Sequence, residues 1–282
     1  MNETTQSSKE TGHTKEGHCA HQEQHQSVTV VVPCYNEEAG LPYLAEKLAE
    51  LKSTLGAGVS VSCILVDDGS TDDTWAVMHA LFDQDASVTC LRHQTNQGIS
   101  AATATGIAAS WDEAVAVIDS DCSYDPRLIA EMLPRLTPDV SVVTASPYHP
   151  HGDVEGVPGW RLFVSRGASW AYRQLLNNSL ATYTSCFRLY RKSAVVSLPR
   201  RRDGFSGVVE ILALLDQQGW RVDEVPAQLK TRKFGQSKMR LLRVTGEHLA
   251  LMSWIAFGKR TSHPIPARNV PAGPQLDGER ES

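Results

Sequence analysis

The fold is decided by the stretch Glu113-Ala-Val-Ala-Val-Ile-Asp119-Ser120-Asp121, a short apolar run that ends on two carboxylates. A β-branched apolar run bounded by polar residues predicts a buried strand, here a central strand of a parallel sheet. Because side chains alternate along a strand, Asp119 and Asp121 are expected on the same side of its carboxyl end. Carboxylates at that edge of an open α/β sheet are placed to hold a hard divalent cation. An Asp-x-Asp alone is equally typical of a solvated strand end, so the upstream sequence decides the interpretation.

The chain before this stretch alternates between strand and helix patterns. The apolar runs predict strands over residues 27–33, 59–66 and 88–92, and helices over residues 38–53, 73–82 and from the loop at 96–98 through 109. Short connections between such units predict an α/β, Rossmann-like fold with a mostly parallel sheet sandwiched by helices. Polar residues follow several of these strands. Each loop alone could be a turn or a helix cap, but several loops at one sheet edge favour a binding site.

Composition excludes several classes of protein. The chain has 282 residues, 41% hydrophobic residues and a net charge of −5, which fits a globular domain and argues against nucleic-acid binding. The polar, His-rich residues 1–26 and the Pro-rich residues 260–282 are predicted to be disordered tails. The N-terminal tail lacks the apolar core of a secretory signal, and no apolar stretch is long enough to span a bilayer. The six cysteines show no paired spacing, which favours reduced thiols in a cytoplasmic protein.

Four strand-end motifs together resemble a known family. They are Pro33-x-Tyr35-Asn36-Glu37, Asp67-Asp68-Gly69-Ser70-Thr71-Asp72, Asn96-x-Gly98 and Asp119-x-Asp121. In order and spacing they are similar to the nucleotide-sugar-binding half of inverting family 2 glycosyltransferases, whose fold is GT-A. The resemblance implies a nucleotide diphosphate sugar bound by Pro33, Tyr35, Glu37, Val66, Asp68, Asp119, Ser120, Asp121, Arg232 and Lys238. It also implies Mg²⁺ or Mn²⁺ held by Asp119 and Asp121, in keeping with the oxygen ligands that these ions prefer.

The second half of the chain narrows the resemblance to dolichyl-phosphate mannosyltransferases and their bacterial polyprenyl-phosphate relatives. The similar segments cover residues 154–167, 184–191 and 232–238, and the whole match runs from about Val28 to Met239. It implies transfer of a hexose, mannose from GDP-mannose, to a polyprenyl or dolichyl monophosphate at the cytoplasmic membrane face. UDP-glucose-dependent glucosyl transfer to the same lipid is the alternative. Arg161 and Ser165 match acceptor-phosphate positions, and Asp121, Arg161 and Arg232 are the predicted catalytic residues.

Such an acceptor changes what catalysis requires. A phosphate monoester has its second pKa near 6, so it is largely a dianion at pH 7. We therefore expect no essential general base, and expect positioning and electrostatics to carry the rate.

Some positions depart from the family pattern. Pro147 stands where relatives commonly have an arginine, and His149 and His151 are the candidate replacements. Ser123 stands where a third acidic-loop ligand, often Gln, is found, and Thr182 replaces a frequent Asp. These departures bear on the sugar and the acceptor rather than on the class of reaction.

Two stretches of the chain have amphipathic patterns. Residues 158–176 alternate aromatic side chains with arginines, which favours a helix lying in a membrane surface over the alternative of a helix packed on the sheet. Residues 240–259 form the C-terminal amphipathic helix, after a GT-A domain over 27–239. This helix has three open interpretations: a second membrane-surface helix, a docking face for a separate membrane subunit, or a cover for the core.

Two rival functions remain at this point. A non-catalytic nucleotide-sugar-binding subunit of a membrane complex would keep the cradle, but the intact acids and Arg232 weigh against it. A nucleotidyltransferase shares the sheet and the paired acids, yet it usually carries a Gly-rich basic loop after the first strand, where this chain has an acidic segment, 33–38.

Overall fold

The computed structural model describes residues 26–202, 204–234 and 241–258. The strands are β1 Gln26–Cys34, β2 Val59–Asp67, β3 Val88–Arg92, β4 Ala114–Val117, β5 Val140–Ser146, β6 Asp153–Glu155, β7 Arg188–Arg191, β8 Arg221–Pro226 and β9 Gln228–Lys230. The helices are α1 Leu41–Leu55, α2 Thr74–Phe82, α3 Ile99–Ala109, α4 Ile129–Met132, α5 Gly159–Leu175, α6 Lys192–Val195, α7 Phe205–Gln217 and α8 Leu241–Gly258. The predicted tails and Lys238 lie outside the described residues.

Seven strands form one sheet in the order β3-β2-β1-β4-β7-β5-β8. β1 pairs in parallel with both β2 and β4, which places β4 in the interior of the sheet as predicted. β7 runs antiparallel to its neighbours β4 and β5, so the sheet is mostly rather than wholly parallel. A second, two-stranded sheet joins β6 to β9. The predicted α/β architecture is confirmed.

Two apolar cores cover the faces of the large sheet. One contains alternate side chains of β1, such as Val30 and Val32, packed with the buried leucines of α1. The other contains Val31 with side chains of α3, α5, α7 and α8. Strand residues of both parities are therefore buried, which is the pattern of a sheet covered on both faces.

α1 begins three residues later than the sequence predicts. The predicted start was near Glu38, but the helix begins at Leu41 because the carbonyl of Glu37 first accepts the N–H groups of Gly40 and Leu41 in a turn. Pro42 then occupies the first helical turn, where its missing N–H needs no partner. The turn leaves 35–40 as a loop at the edge of the sheet.

The small residues of α3 have a packing reason. A Cβ atom on Gly106 would overlap the side chain of Val31 on β1. The helix therefore lies unusually close to the central strand, which brings its first turn, at Gly98 and Ile99, to the edge where β1, β2 and β4 end.

α8 covers the core with one of its faces. Leu251 and Ile255 are fully buried, in the same core as Tyr172 of α5. Among the three interpretations of this helix, the structure therefore establishes a cover for the core, while Leu249 and Phe257 remain exposed. No helix within the described ranges has the length and hydrophobicity to cross a membrane. The cysteines that the structure describes are all free thiols, as predicted.

Candidate active site

The loops after β1 and β2 are joined by hydrogen bonds at the sheet edge. The N–H of Asn36 donates to Ser70 Oγ at 2.8 Å, and the N–H of Thr71 donates to Asn36 Oδ1 at 2.7 Å. Asn36 has φ +52°, a left-handed conformation that asparagine tolerates better than most residues. The first two sequence motifs are therefore one rigid unit.

Asp68 fixes the loop that precedes α3. Its carboxylate accepts hydrogen bonds from His93 Nδ1 at 2.7 Å and from the N–H groups of Gln97 and Gly98 at 2.9 and 2.7 Å. Gly69 next to it has φ +70°, and a Cβ there would lie 2.5 Å from the backbone of Thr95. Asp68 thus holds the Asn96-x-Gly98 motif in place while it also lines the site.

The paired acids follow β4. Asp121 Oδ1 accepts the N–H of Ser123 at 2.9 Å and its hydroxyl at 2.5 Å, while Oδ2 accepts a hydrogen bond from Arg232 at 2.7 Å. Arg232 also lies 3.7 Å from Glu37. Cys122, directly after the acid, has φ +48°, an uncommon conformation that costs roughly 1–2 kcal/mol for a non-glycine residue. Such strain often marks functional sites.

The two carboxylates are close enough to disturb each other. Burial and, to a smaller extent, the negative charge of Asp121 together raise the pKa of Asp119 to about 7, against the opposing effect of Arg232. A carboxyl pair that is short of positive charge is suited to a cation. No cluster of three or more metal-ligating side chains occurs in the described parts of the chain.

A cavity of about 1010 Å³, with many polar and charged residues in its lining, lies over the ends of β1, β2 and β4. Its lining includes Pro33, Tyr35, Asn36, Glu37, Asp68, Asn96, Gln97, Asp119, Ser120, Arg200, Phe205, Arg232, Val244 and Glu247. We call it the donor cavity. Seven of the residues predicted to bind a nucleotide sugar line it: Pro33, Tyr35, Glu37, Asp68, Asp119, Ser120 and Arg232.

A second cavity, of about 530 Å³, is mostly apolar. Its lining includes Asp119, Asp121, Tyr148, Trp160, Arg161, Leu162, Ser165, Phe205, Lys230, Arg232, Val244, His248, Leu249 and Met252. We call it the acceptor cavity. It shares Asp119, Phe205, Arg232 and Val244 with the donor cavity, so the two meet at the paired acids and Arg232.

α5 supplies the predicted acceptor residues from one face. Arg161 and Ser165 both line the acceptor cavity, one turn apart. The Arg161 guanidinium lies over the ring of Trp160 at 5.3 Å, and its Nε is buried and has no hydrogen-bond partner among the described residues. Ser165 Oγ lies 2.6 Å from Thr184 Oγ1. A donor without a partner inside a cavity is available to a ligand.

One predicted residue lies elsewhere, and a second is outside the described residues. Val66 lines neither cavity, because its side chain points into the core under α3 and is fully buried. Lys238 falls outside the described residues. Pro147 lines the acceptor cavity, but the candidate replacements His149 and His151 do not, and their rings pack against each other with centroids 5.6 Å apart. Thr182 is buried and lies 2.8 Å from Ser146 Oγ.

Sequence reasoning missed several cavity residues. Arg200 and Glu247 line the donor cavity, and Lys230 and His248 line the acceptor cavity. Arg200 begins a run of three arginines just before α7, which is a readable sign of a basic loop. The other three carry no local pattern, since only the docking of α8 and of β9 brings them to the site.

Comparison with known proteins identifies the family of this chain. The model of the family described as glycosyl transferase family 2 matches residues 29–198. The dolichol-phosphate mannosyltransferase of Pyrococcus furiosus is 27% identical over 215 residues, covering 76% of this chain and 59% of that protein. The chain therefore spans 59% of the length of this relative. The polyprenol monophosphomannose synthase of Mycolicibacterium smegmatis is 27% identical over 241 residues, covering 83% and 89%.

Solved structures agree in fold. The glucosyl-3-phosphoglycerate synthase of Mycobacterium tuberculosis, in complex with Mn²⁺, UDP and glucosyl-3-phosphoglycerate, superposes with a TM-score of 0.59 at 19% identity, covering 83% of this chain and 80% of that one. The same enzyme with Mg²⁺ and UDP gives a TM-score of 0.58 at 21% identity, with the same two shares covered. The predicted GT-A fold is confirmed.

Proposed function

The chain belongs to glycosyl transferase family 2, and we propose that it transfers a hexose, mannose from GDP-mannose, to a polyprenyl or dolichyl monophosphate. The observation that carries the proposal is the meeting of the two cavities at Asp119 and Arg232. One cavity has many polar and charged residues in its lining, which suits a nucleotide sugar, and the other is mostly apolar with Arg161 in its wall. The names of the two curated relatives, a dolichol-phosphate mannosyltransferase and a polyprenol monophosphomannose synthase, support the same reaction.

The donor cavity offers the groups that a nucleoside diphosphate needs. Tyr35 supplies a ring, Asp68 and Glu37 supply carboxylates for hydroxyl or base N–H groups, and Arg232 supplies a cation beside the paired acids. Arg232 forms ion pairs with Asp121 at 2.7 Å and with Glu37 at 3.7 Å. A bound diphosphate would compete for this guanidinium, since charged phosphate oxygens form strong paired hydrogen bonds with arginine.

Asp119 and Asp121 are the residues that would hold Mg²⁺ or Mn²⁺. The raised pKa of Asp119 fits this assignment, because burial and the neighbouring carboxylate leave the pair short of positive charge. When bound, such an ion neutralises charge that develops on the leaving diphosphate. With two carboxylates from the protein, phosphate oxygens and water would complete its shell, as is usual for Mg²⁺.

The acceptor cavity suits a phosphate attached to a long apolar chain. Its lining is dominated by apolar residues of α5 and α8, such as Leu162, Leu249 and Met252. Arg161 places a guanidinium in that wall, and Ser165 adds a hydroxyl. Because the phosphate is already a dianion at pH 7, Arg161 and Ser165 need only hold it against the sugar, and no side chain has to remove a proton.

The outer face of α5 fits the surface of a membrane. Trp160, Phe163 and Trp170 are 50%, 80% and 65% exposed, and Arg166 is exposed on the same helix. Large aromatic side chains beside arginines are typical of helices that lie among lipid headgroups. We therefore propose that the enzyme works while bound peripherally at the cytoplasmic face of a membrane. A separate membrane subunit that contacts the exposed side of α8 is a further part of the proposal.

A panel of substrates tests this function. Purified enzyme with Mg²⁺ or Mn²⁺ is offered GDP-mannose, GDP-glucose, UDP-glucose or UDP-galactose, each with a short polyprenyl phosphate or with the matching polyprenol. We expect transfer from GDP-mannose to the phosphate and none to the alcohol. Transfer from UDP-glucose alone would correct the donor, and transfer to the alcohol would overturn the lipid-phosphate acceptor.

A further inference from the structure

We propose that His93 is a positioning residue for the nucleoside part of the donor, and that it acts by holding the carboxylate of Asp68 in the geometry that binds the nucleotide. The inference rests on the proposed function, in which Asp68 contacts a hydroxyl or a base N–H of the nucleotide sugar. His93 belongs to none of the motifs by which the sequence predicts the site.

His93 lies directly after β3 and bridges two elements of the donor site. Its Nδ1 lies 2.7 Å from Asp68 Oδ1, and its Nε2 lies 3.0 Å from Thr105 Oγ1 on α3. Its N–H donates to the carbonyl of Asp67 at 2.8 Å. The side chains of His93 and Asp68 are only 9% and 4% exposed, so their contact is largely shielded from water, where a hydrogen bond is stronger. The residue is therefore held by its main chain and by both ring nitrogens.

The contact with Thr105 orients the ring. Thr105 stands next to Gly106, whose close approach to Val31 keeps α3 against the central strand. With Asp68 ionised, Nδ1 of His93 is the donor in the first contact, and in a neutral ring Nε2 then accepts the hydroxyl of Thr105. The ring thus ties Asp68 to the end of β3 and to the middle of α3.

The hydrogen bonds of Asp68 show what the histidine adds. Oδ1 accepts from His93 and from the N–H of Gln97, and Oδ2 accepts from the N–H of Gly98. Each carboxylate oxygen has two lone pairs, so Oδ1 is fully used and Oδ2 can accept one further donor. Without His93 a second lone pair becomes open at Oδ1, and the carboxylate no longer presents a single site to a ligand. We therefore expect the loss of His93 to weaken the binding of the nucleoside through Asp68.

The experiment compares a nucleoside diphosphate with the diphosphate alone. GDP, UDP and inorganic pyrophosphate, each with Mn²⁺, are titrated into the purified full-length protein by calorimetry, and the tighter-binding nucleotide is used for the variants. We expect His93→Leu to weaken nucleotide binding about tenfold, as for one hydrogen bond to a charged group. Binding of pyrophosphate should not change, because pyrophosphate has neither base nor ribose. His93→Asn, whose amide nitrogen can replace Nδ1, should retain most of the affinity, whereas His93→Gln, whose amide nitrogen can replace Nε2, should lose it.

Two further measurements separate positioning from a general structural role. Adding His93→Leu to the variant Asp68→Asn should weaken nucleotide binding no further, because His93 acts through Asp68. With polyprenyl phosphate as the acceptor, the KM for the nucleotide sugar should rise in His93→Leu while kcat stays within about twofold, as for binding that is equal in the ground and transition states. His79→Leu is the matched control, since His79 Nδ1 lies 2.6 Å from Asp83 Oδ1 and the residue lines neither cavity.

Each outcome bears on the inference. Unchanged nucleotide affinity in His93→Leu, an equal loss for pyrophosphate, or an equal loss in His79→Leu would overturn the role of His93 and leave the proposed function standing. A further loss in the double variant would also overturn it, since His93 would then act by a route other than Asp68. If His93→Leu does not fold, the other two variants decide, and equal affinities in His93→Asn and His93→Gln would contradict the inference. If the wild type binds neither GDP nor UDP, the proposed donor itself fails, and the inference with it.

Discussion

Replacing Asp121 by Asn should abolish turnover while the fold survives. The asparagine keeps a side-chain oxygen that can accept the N–H of Ser123, which lies 2.9 Å from Asp121 Oδ1 in the wild type. It removes the charge that pairs with Arg232 and that, with Asp119, would hold the cation. We expect a loss of roughly 3–4 kcal/mol of transition-state stabilisation, which corresponds to about 10²–10³ in kcat.

The same change should cost little stability. Arg232 keeps Glu37 at 3.7 Å as a partner, so the substitution does not leave its charge unpaired, and we expect a cost of about 1 kcal/mol, typical of a single substitution. Removing one of two neighbouring carboxylates also relieves the repulsion that helps to raise the pKa of Asp119. For a domain of this size, about 1 kcal/mol corresponds to a shift of roughly 2–4 °C in Tm. A loss of activity would therefore not result from unfolding.

The assay follows transfer from a labelled nucleotide sugar over a range of Mg²⁺ and Mn²⁺ concentrations, with Tm measured in parallel. Asp125→Asn is the matched control. Asp125 lies four residues after Asp121, is exposed and forms an ion pair with Arg127. The control should keep nearly full activity, and EDTA should inactivate the wild type. If Asp121→Asn is fully active and EDTA is harmless, the paired acids have no part in the mechanism.

Three further predictions concern the acceptor, the membrane and the donor loop. Arg161→Ala should raise the KM for polyprenyl phosphate about tenfold or more, while the affinity for the nucleotide sugar stays nearly constant. Arg161→Lys should restore only part of the affinity for the acceptor. An equal effect on both substrates would contradict the assignment of Arg161 to the acceptor. Replacing Trp160 and Trp170 by Ser should weaken co-sedimentation with anionic liposomes. The control is Trp111→Ser, at a tryptophan that is 97% exposed in the loop before β4, and it should not weaken co-sedimentation. An equal loss in both variants would argue against the outer face of α5 as the membrane-binding surface. Gly69→Ala should weaken nucleotide-sugar binding, because its φ of +70° and the 2.5 Å approach to the Thr95 backbone exclude a side chain; calorimetric titration with wild-type affinity would refute this.

The sequence predicts the first half of the fold well because its signals are local. The boundaries of β3 are as predicted, β2 extends one residue further, and β1 extends one residue further at each end, since apolar β-branched runs bounded by polar turns define a buried strand. The start of α1 was misplaced because the capping turn at Glu37 is made by backbone groups. The antiparallel direction of β7 also has no local signal, because it depends on which neighbours the strand pairs with.

The same distinction between local sequence signals and tertiary contacts applies to the residues of the site. Residues in the strand-end motifs, such as Tyr35, Asp68 and Asp119, could be placed because parallel strands bring their carboxyl ends to one edge. The side chain of Val66 lies in the core instead, because both faces of the sheet are covered and a strand-end residue can point into either core. Lys230 and His248 could not be predicted, because they reach the site through tertiary contacts of β9 and α8.

The placement of α8 links the two cavities. Val244 lines both, Glu247 lines the donor cavity, and its neighbour His248 lines the acceptor cavity. The Tyr172 hydroxyl, from the helix that carries Arg161, lies 2.8 Å from His248 Nδ1, so α5 and α8 hold each other at this wall. A displacement that inverts the sugar needs the incoming phosphate and the leaving diphosphate on opposite sides of one carbon. Among the described residues the two cavities share Asp119, Arg232, Phe205 and Val244. In the reaction that we propose, they would provide those two sides, and positioning of this kind can supply much of the rate where no proton has to be removed.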